Sequence, residues 1–418
     1  MSEFKMGKPK GKILLVAYGG GHVAMLAPIA LALMEARREF VFLAMTTARE
    51  HLERLGIPSI GFKDFPEAQS STVRQRGLAL ASDIPRGGSV SLEESVAYLG
   101  LNFQALVEEH GEERANALYS KHGRQAFLPV NLLKSLIRRV GASIVVATNS
   151  PRAEQAAIVA AGEIGIPSVC VIDMFALQEI AWIGQSGYAD RLCVLNEQVK
   201  SLFLEAGREP SEIIVTGNPA FDSLMDESVK IAGQQMREKR GWGDGLITIL
   251  WASQMEPQRH PFDGRVGDPE LPRKVEAQLR IFIKSNKRFR LVVRYHPSEH
   301  VQFAQGSERV ELSVSSEPID VLLHAVDLVV VSASTVGLQA FIAGRQVISV
   351  DCSIWAKDAP FSQMGISHGV QEIGELSRAI LDITKRQDSD HGRVSRLGLE
   401  GTSATQHVVQ VINSLLKM

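Results

Sequence analysis

Residues 12–37 read KILLVAYGGGHVAMLAPIALALMEAR, and their order decides the fold. A short apolar run meets three glycines, and a second apolar stretch from about Val23 to Arg37 then ends in charges. A strand that turns through glycine into a helix opens a βαβ unit. The first run is too short to span a membrane and meets glycines in place of a cleavage site, so it reads as a first strand. The alternation continues outward through FVFLAM (40–45), a helix across Ala48–Leu55, SIVVAT (143–148), SVCVID (168–173), RLCVL (191–195) and EIIVTG (212–217). Residues from about 70 to 140 break the pattern. They read as largely helical, with Ser91 and Glu94 as a capping box ahead of ESVAYLGLNFQALVEE, and form an excursion from the first domain.

A boundary is expected between Gly217 and Gly245, where TGNPAFDSL passes into the polar DESVKIAGQQMREKRGWGDG. That gives an N-terminal domain over 1–225 and a C-terminal one over 226–418. A second series follows: LITILWA (246–252), FRLVVRY (289–295), VELSV (310–314), DLVVVSA (327–333) and QVISVD (346–351). The expectation is an α/β protein of two Rossmann-like, doubly wound domains facing a cleft, with ligands beyond the carboxyl ends of the strands. The 418 residues, 45% of them hydrophobic, suffice for a core in each domain. A formal charge of −2 argues against a broad nucleic-acid footprint, so no nucleic-acid partner is expected. Cys170, Cys193 and Cys352 are scattered and lack a CxxC pair, which fits a cytoplasmic location; Cys170 and Cys193, in apolar strand-like runs, read as buried thiols.

Four stretches carry chemistry. Gly19-Gly20-Gly21-His22 lies between strand and helix. There the backbone can approach a ligand closely, the helix start offers free N–H groups, and His22 can accept a proton from a hydroxyl. A capping or packing histidine is the plainer alternative. Thr216-Gly217-Asn218-Pro219 ends the last strand of the first half, either as a hinge or as a ligand contact through Asn218. Arg294-Tyr295-His296-Pro297 puts an imidazole and a guanidinium at a strand end, a pairing suited to phosphate oxygens. Ser332-Ala333-Ser334-Thr335-Val336-Gly337 offers hydroxyls and backbone N–H groups at a strand-to-helix turn, an anion cradle or simply a helix cap. Thr148-Asn149-Ser150-Pro151 and Asp173 lie at strand ends, open to a ligand or to packing. His260 sits in a polar loop that could line the cleft.

No HExxH or Walker loop and no paired cysteines are present, and neither a metal nor another cofactor is expected. FLPVNLLKSLIRRVG sets Leu132, Leu133, Leu136 and Ile137 beside Lys134, Arg138 and Arg139. Such a helix can rest on an anionic bilayer, a peripheral contact at the inner membrane face, or pack on the first sheet.

On these residues the chain resembles a group of families. GGGHVAMLAPIALAL resembles the glycine-rich loop of GT-B glycosyltransferases, in particular the peptidoglycan N-acetylglucosaminyltransferase. VTGNPAFDSL resembles a segment of non-hydrolysing UDP-N-acetylglucosamine 2-epimerases and CDP-glycerol glycerophosphotransferases. RYHP with SASTVGLQAFIAGRQVI resembles the His-Pro and Ser-Ser/Thr motifs of the glycerophosphotransferases and of bacterial sialyl- and Kdo-transferases. The resemblance covers residues 11–351 in short motifs. It implies a GT-B fold, a nucleotide-sugar donor as substrate, and a glycan or lipid-linked acceptor. It makes His22 and His296 catalytic, with Arg294, Ser332, Ser334, Thr335 and Gly337 at the donor phosphates. Gly20, Gly21 and Asn218 fall on the acceptor side, and the C-terminal helix crosses back to the first domain. The implied activity is metal-independent glycosyl transfer. Epimerisation, transfer of a CDP-linked polyol phosphate, and non-catalytic nucleotide-sugar binding are the alternatives. YGGGH and SASTVGLQAF lack the acidic residues that the 2-epimerases carry at those places.

Overall fold

The computed structural model describes residues 11–82, 90–261, 263–385 and 403–417. These divide into two compact units, one of residues 11–220 with 403–417 and one of 221–385.

The first unit is built on six parallel strands: β1 (Lys12–Ala17), β2 (Phe40–Ala44), β3 (Ala142–Thr148), β4 (Ser168–Val171), β5 (Arg191–Val194) and β6 (Ile213–Val215). Their order is β2-β1-β3-β4-β5-β6. Ile13, Leu14, Leu15 and Val16 are all fully buried, because helices cover both faces of a parallel sheet. This explains why the strand reads as a continuous apolar run instead of an alternating one. The helix Gly21–Glu35 is almost as apolar. Its inner side meets the sheet, and it also packs against the C-terminal helix Ala404–Leu415, which adds Val408, Val411, Ile412 and Leu415 to the same core.

Between β2 and β3 lie the helices Ser71–Leu80, Leu92–His110, Glu112–His122 and Val130–Val140, with an aromatic cluster of Phe62, Phe65, Tyr98, Phe103, Tyr119 and Phe127. Half of the expected capping box forms: Ser91 Oγ accepts from Glu94 N at 3.2 Å. The Glu94 carboxylate turns elsewhere and accepts from Phe62 N at 2.7 Å and Lys63 N at 3.1 Å. Two otherwise unsatisfied N–H groups of a neighbouring turn outcompete the single one at Ser91. The basic amphipathic helix is packed. Leu133, Leu136 and Ile137 are buried, Lys134 pairs with Glu163, and Arg139 pairs with Glu67. Leu133, Leu136 and Ile137 are therefore covered by protein, as the packing alternative expects. Among the described residues no helix is long and apolar enough to cross a membrane.

The second unit holds β7 (Ile247–Ala252), β8 (Phe289–Arg294), β9 (Val310–Leu312), β10 (Leu328–Val331), β11 (Gln346–Val350) and β12 (His368–Val370). They are parallel, in the order β12-β11-β10-β7-β8-β9. Counted from β7 as first, this is the 3-2-1-4-5-6 order of the dinucleotide-binding fold, whereas the first sheet begins 2-1-3-4-5 as in flavodoxin-like proteins. Each order has a point where the winding reverses: β1/β3 in the first sheet, β7/β10 in the second. Ligands of doubly wound sheets lie beyond the strand ends at that point.

Candidate functional sites at the two switch points

In the first unit the switch point brings together residues far apart in the chain. Gly20 lies at φ 67°, ψ −134°, and a Cβ on Gly19 would stand 1.9 Å from Thr47 Oγ1. Glycine is thus required twice to bring β1 into its helix, and His22 is delivered in the first turn of that helix. Its Nδ1 lies 2.7 Å from Thr148 Oγ1, at the end of β3. Thr148 in turn donates to Glu154 Oε2, and both residues are fully buried. Glu154 also accepts from Tyr18 N at 2.6 Å and from Ser150 N at 3.2 Å. Asp173, two residues past β4, lies near Gly21, where a Cβ would stand 3.5 Å from Asp173 Oδ2. Burial raises the Glu154 and Asp173 carboxyls above their ordinary values, and the His22 ring pulls each partway back. Among the described residues His22 Nε2 has no hydrogen-bond partner.

Backbone strain gathers at the same edge. Thr46, Arg152, Met174 and Ala176 have φ of 54°, 70°, 37° and 45°, following β2, β3 and β4. Side chains other than glycine hold such angles at a cost of about 1–3 kcal/mol each, and such residues concentrate at ligand sites. Asn218, expected on the acceptor side, is buried, and its Oδ1 accepts from Ala220 N at 2.9 Å, so the structure shows it shaping the turn after β6.

In the second unit His296 follows β8 and is exposed. Its backbone N–H donates to Glu299 Oε2 at 2.8 Å, and its Nδ1 accepts from Ser298 N at 3.2 Å. With Nδ1 accepting, the neutral ring carries its proton on Nε2 and offers it outward. Glu299 is held by Arg273 at 2.9 Å and Ser253 at 3.0 Å. Past β10, Ser334 Oγ accepts from Val336 N at 3.3 Å and caps the helix Thr335–Ile342, leaving its hydroxyl hydrogen to give. Thr335 is exposed beside it, and Ser332 is buried.

Three expected residues are engaged within the protein. Arg294 donates to Ser313 Oγ and to the carbonyls of Val314, Ser315 and Glu317 at 2.9–3.2 Å, so its guanidinium ties down the loop after β9. Gly337 N–H donates to Ser334 O at 2.9 Å, and a Cβ there would meet Val331 at 2.8 Å and Phe361 at 3.0 Å; its place is steric. His260 is buried, with Nδ1 3.0 Å from Asp263 and Nε2 3.1 Å from Asp358, against Trp355. It joins two loops instead of lining an opening. Cys170 and Cys193 are buried as expected, and burial pushes the Cys193 thiol up to about 12.

Two parallel six-stranded sheets, each wrapped by helices, give the chain a GT-B fold. The UDP-GlcNAc 2-epimerase of Neisseria meningitidis, solved with UDP-GlcNAc, is similar at a TM-score of 0.61 and 13% identity, covering 96% of this chain and 100% of its own. The Methanocaldococcus jannaschii UDP-GlcNAc 2-epimerase, in complex with UDP-GlcNAc and UDP, matches at 0.60 and 12%, covering 96% and 99%. A glycosyltransferase from Rickettsia africae matches at 0.55 and 13%, covering 98% and 99%. The sequence matches no family model and no curated protein. At these identities the likeness speaks for the fold.

Proposed function

We propose that the chain transfers a glycosyl group from a nucleotide sugar to an acceptor hydroxyl, with no metal in the step. The observation that carries this reading is His22. Its ring is presented by a glycine turn at a switch point, Nδ1 is held by Thr148 and Glu154, and Nε2 is left for a ligand. A base held by its far nitrogen suits proton abstraction from an alcohol. In the step, the acceptor O–H gives its proton to Nε2 while its oxygen bonds to the anomeric carbon. The bond from that carbon to the donor phosphate breaks, and its electron pair leaves on the phosphate. Donor binding is assigned to the second unit. The His296 Nε2–H, the Ser334 and Thr335 hydroxyls and the start of the helix Thr335–Ile342 would meet the departing charge. Two of the structural neighbours were solved with UDP-GlcNAc, which supports a UDP-sugar as first donor to try. A glycan or lipid-linked hydroxyl is the proposed acceptor class.

A second reading, 2-epimerisation of the nucleotide sugar, is favoured by Asp173, a carboxyl beside Gly21 and His22 that could exchange a proton at carbon. Product analysis separates the two. Incubation with UDP-GlcNAc alone gives a C2-inverted sugar if epimerisation is right. If transfer is right, UDP is released in proportion to added acceptor and the untransferred sugar keeps its configuration.

A further inference from the structure

We propose that Glu154, acting through the Thr148 hydroxyl, fixes the neutral His22 ring as its Nδ1–H tautomer and so turns a bare Nε2 lone pair outward. The argument is one of hydrogen counting. Thr148 has a single hydroxyl hydrogen and two partners, His22 Nδ1 at 2.7 Å and Glu154 Oε2. The other partners of Glu154, Tyr18 N and Ser150 N, are backbone donors and cannot reverse. Burial raises the Glu154 carboxyl, while the His22 ring, the Thr148 hydroxyl and the fixed backbone donors Tyr18 N and Ser150 N act against that rise; in its ionised form Glu154 can only accept. The Thr148 hydrogen therefore points at Glu154, its lone pair faces the ring, and Nδ1 must supply the hydrogen between them.

The reversed state has a different chemistry. A proton on Glu154 Oε2 would turn the Thr148 hydrogen towards Nδ1 and leave the ring hydrogen on Nε2, making His22 a donor. The charged groups that face the ring are Glu154, from the helix Ala153–Glu163, and Asp173, from the turn after β4. Both attract the imidazolium formed when Nε2 takes a proton. Thr148 and Glu154 are thus positioning residues, acting through His22.

The proposal rests on His22 as the base of the transfer reading, but the tautomer is measurable with no substrate present. Long-range nitrogen–proton correlations of 15N-histidine-labelled full chain at alkaline pH report it, with His22 assigned by its loss in His22→Gln. The expected result is a protonated Nδ1 and a bare Nε2 in the wild type and in Thr148→Ser. Thr148→Val and Glu154→Gln should both shift towards Nε2–H, because the first removes the acceptor and the second supplies an amide donor to it. Either variant suffices should the other not fold. A wild-type ring with its hydrogen on Nε2 overturns the proposal, as does a folded Thr148→Val that keeps Nδ1–H. If transfer occurs, Thr148→Val lowers kcat at least tenfold with little change in KM, and Thr148→Ser restores it. A wild type with the predicted tautomer but no transferase activity supports the proposal and refutes the transferase reading alone.

Discussion

Gly20 has nothing within 4 Å of where a Cβ would stand, yet its backbone lies at φ 67°, ψ −134°. A substitution there is strained by conformation alone and not by crowding. Gly20→Ala should cost about 1–3 kcal/mol, read as a lower urea midpoint with an unchanged slope. The same change should displace His22 and reduce turnover. His22→Ala, which leaves the turn intact, should lower kcat/KM by about 10²–10⁴-fold with little effect on stability. Turnover near wild type in His22→Ala would remove the base from its role. At this scale the sequence exposes the punctuation. His22, His296 and Ser334 stand beside glycine, proline or a strand end, and each is found at the carboxyl edge of its sheet. Glu154 gave no such signal. An acidic residue in the first turn of a helix is ordinary, and its partners Tyr18 and His22 lie more than a hundred residues earlier, joined to it only by the pairing of β1 with β3. The hold of Arg294 on residues 313–317 was equally hidden, because that loop is remote from any local pattern.

Among the elements, the helix Leu92–His110 shows how a buried charge can hold a neighbouring segment. Glu94 answers two backbone N–H groups of the turn that starts at Phe62. Glu94→Ala should cost about 2–6 kcal/mol, at about 1–3 kcal/mol for each of the two donors left unsatisfied, measured by urea unfolding. Glu94→Gln, which keeps one acceptor, should cost less. Equal losses would mean that packing and not hydrogen bonding sets the value. The long elements were legible, because strands buried on both faces leave unbroken apolar runs and the helices between them are long. The three-residue β12 was not, since His368-Gly369-Val370 has neither the length nor the apolar run to stand out. The basic helix Val130–Val140 reads equally as a membrane surface or as a packed layer. Packing shows in the burial of Leu133, Leu136 and Ile137 and in the ion pairs to Glu67 and Glu163, partners that come from distant segments.

For the molecule as a whole, the two sheets differ in strand order: His22 and Thr148 follow the strands at the first reversal and Ser334 one strand of the second, whereas His296 follows β8, beside it. Strand order is absent from any one-dimensional pattern, so the two-unit α/β reading could be made in advance and the switch points could not. The buried carboxylates of the first unit set a pH dependence. Burial raises Asp173, so the folded state holds a proton that the unfolded state releases as pH rises above its ordinary 3.8. That group's contribution to stability therefore falls with rising pH. Asp173→Asn should stabilise the chain at pH 7, and the gain should shrink as pH is lowered towards 4. A gain independent of pH would mean that Asp173 keeps its ordinary value.

The central claim, a nucleotide sugar held by its phosphates on the second unit, is tested most directly by thermal shift. The panel is UDP, CDP, CMP, GDP and dTDP with their common sugars, on wild type, His22→Ala and His296→Ala. Bound ligand stabilises by RT ln(1 + [L]/Kd), so even weak binding is visible in excess. The account predicts that one nucleotide raises Tm in the wild type and in His22→Ala but not in His296→Ala. A flat panel, or the same rise in all three proteins, would contradict it.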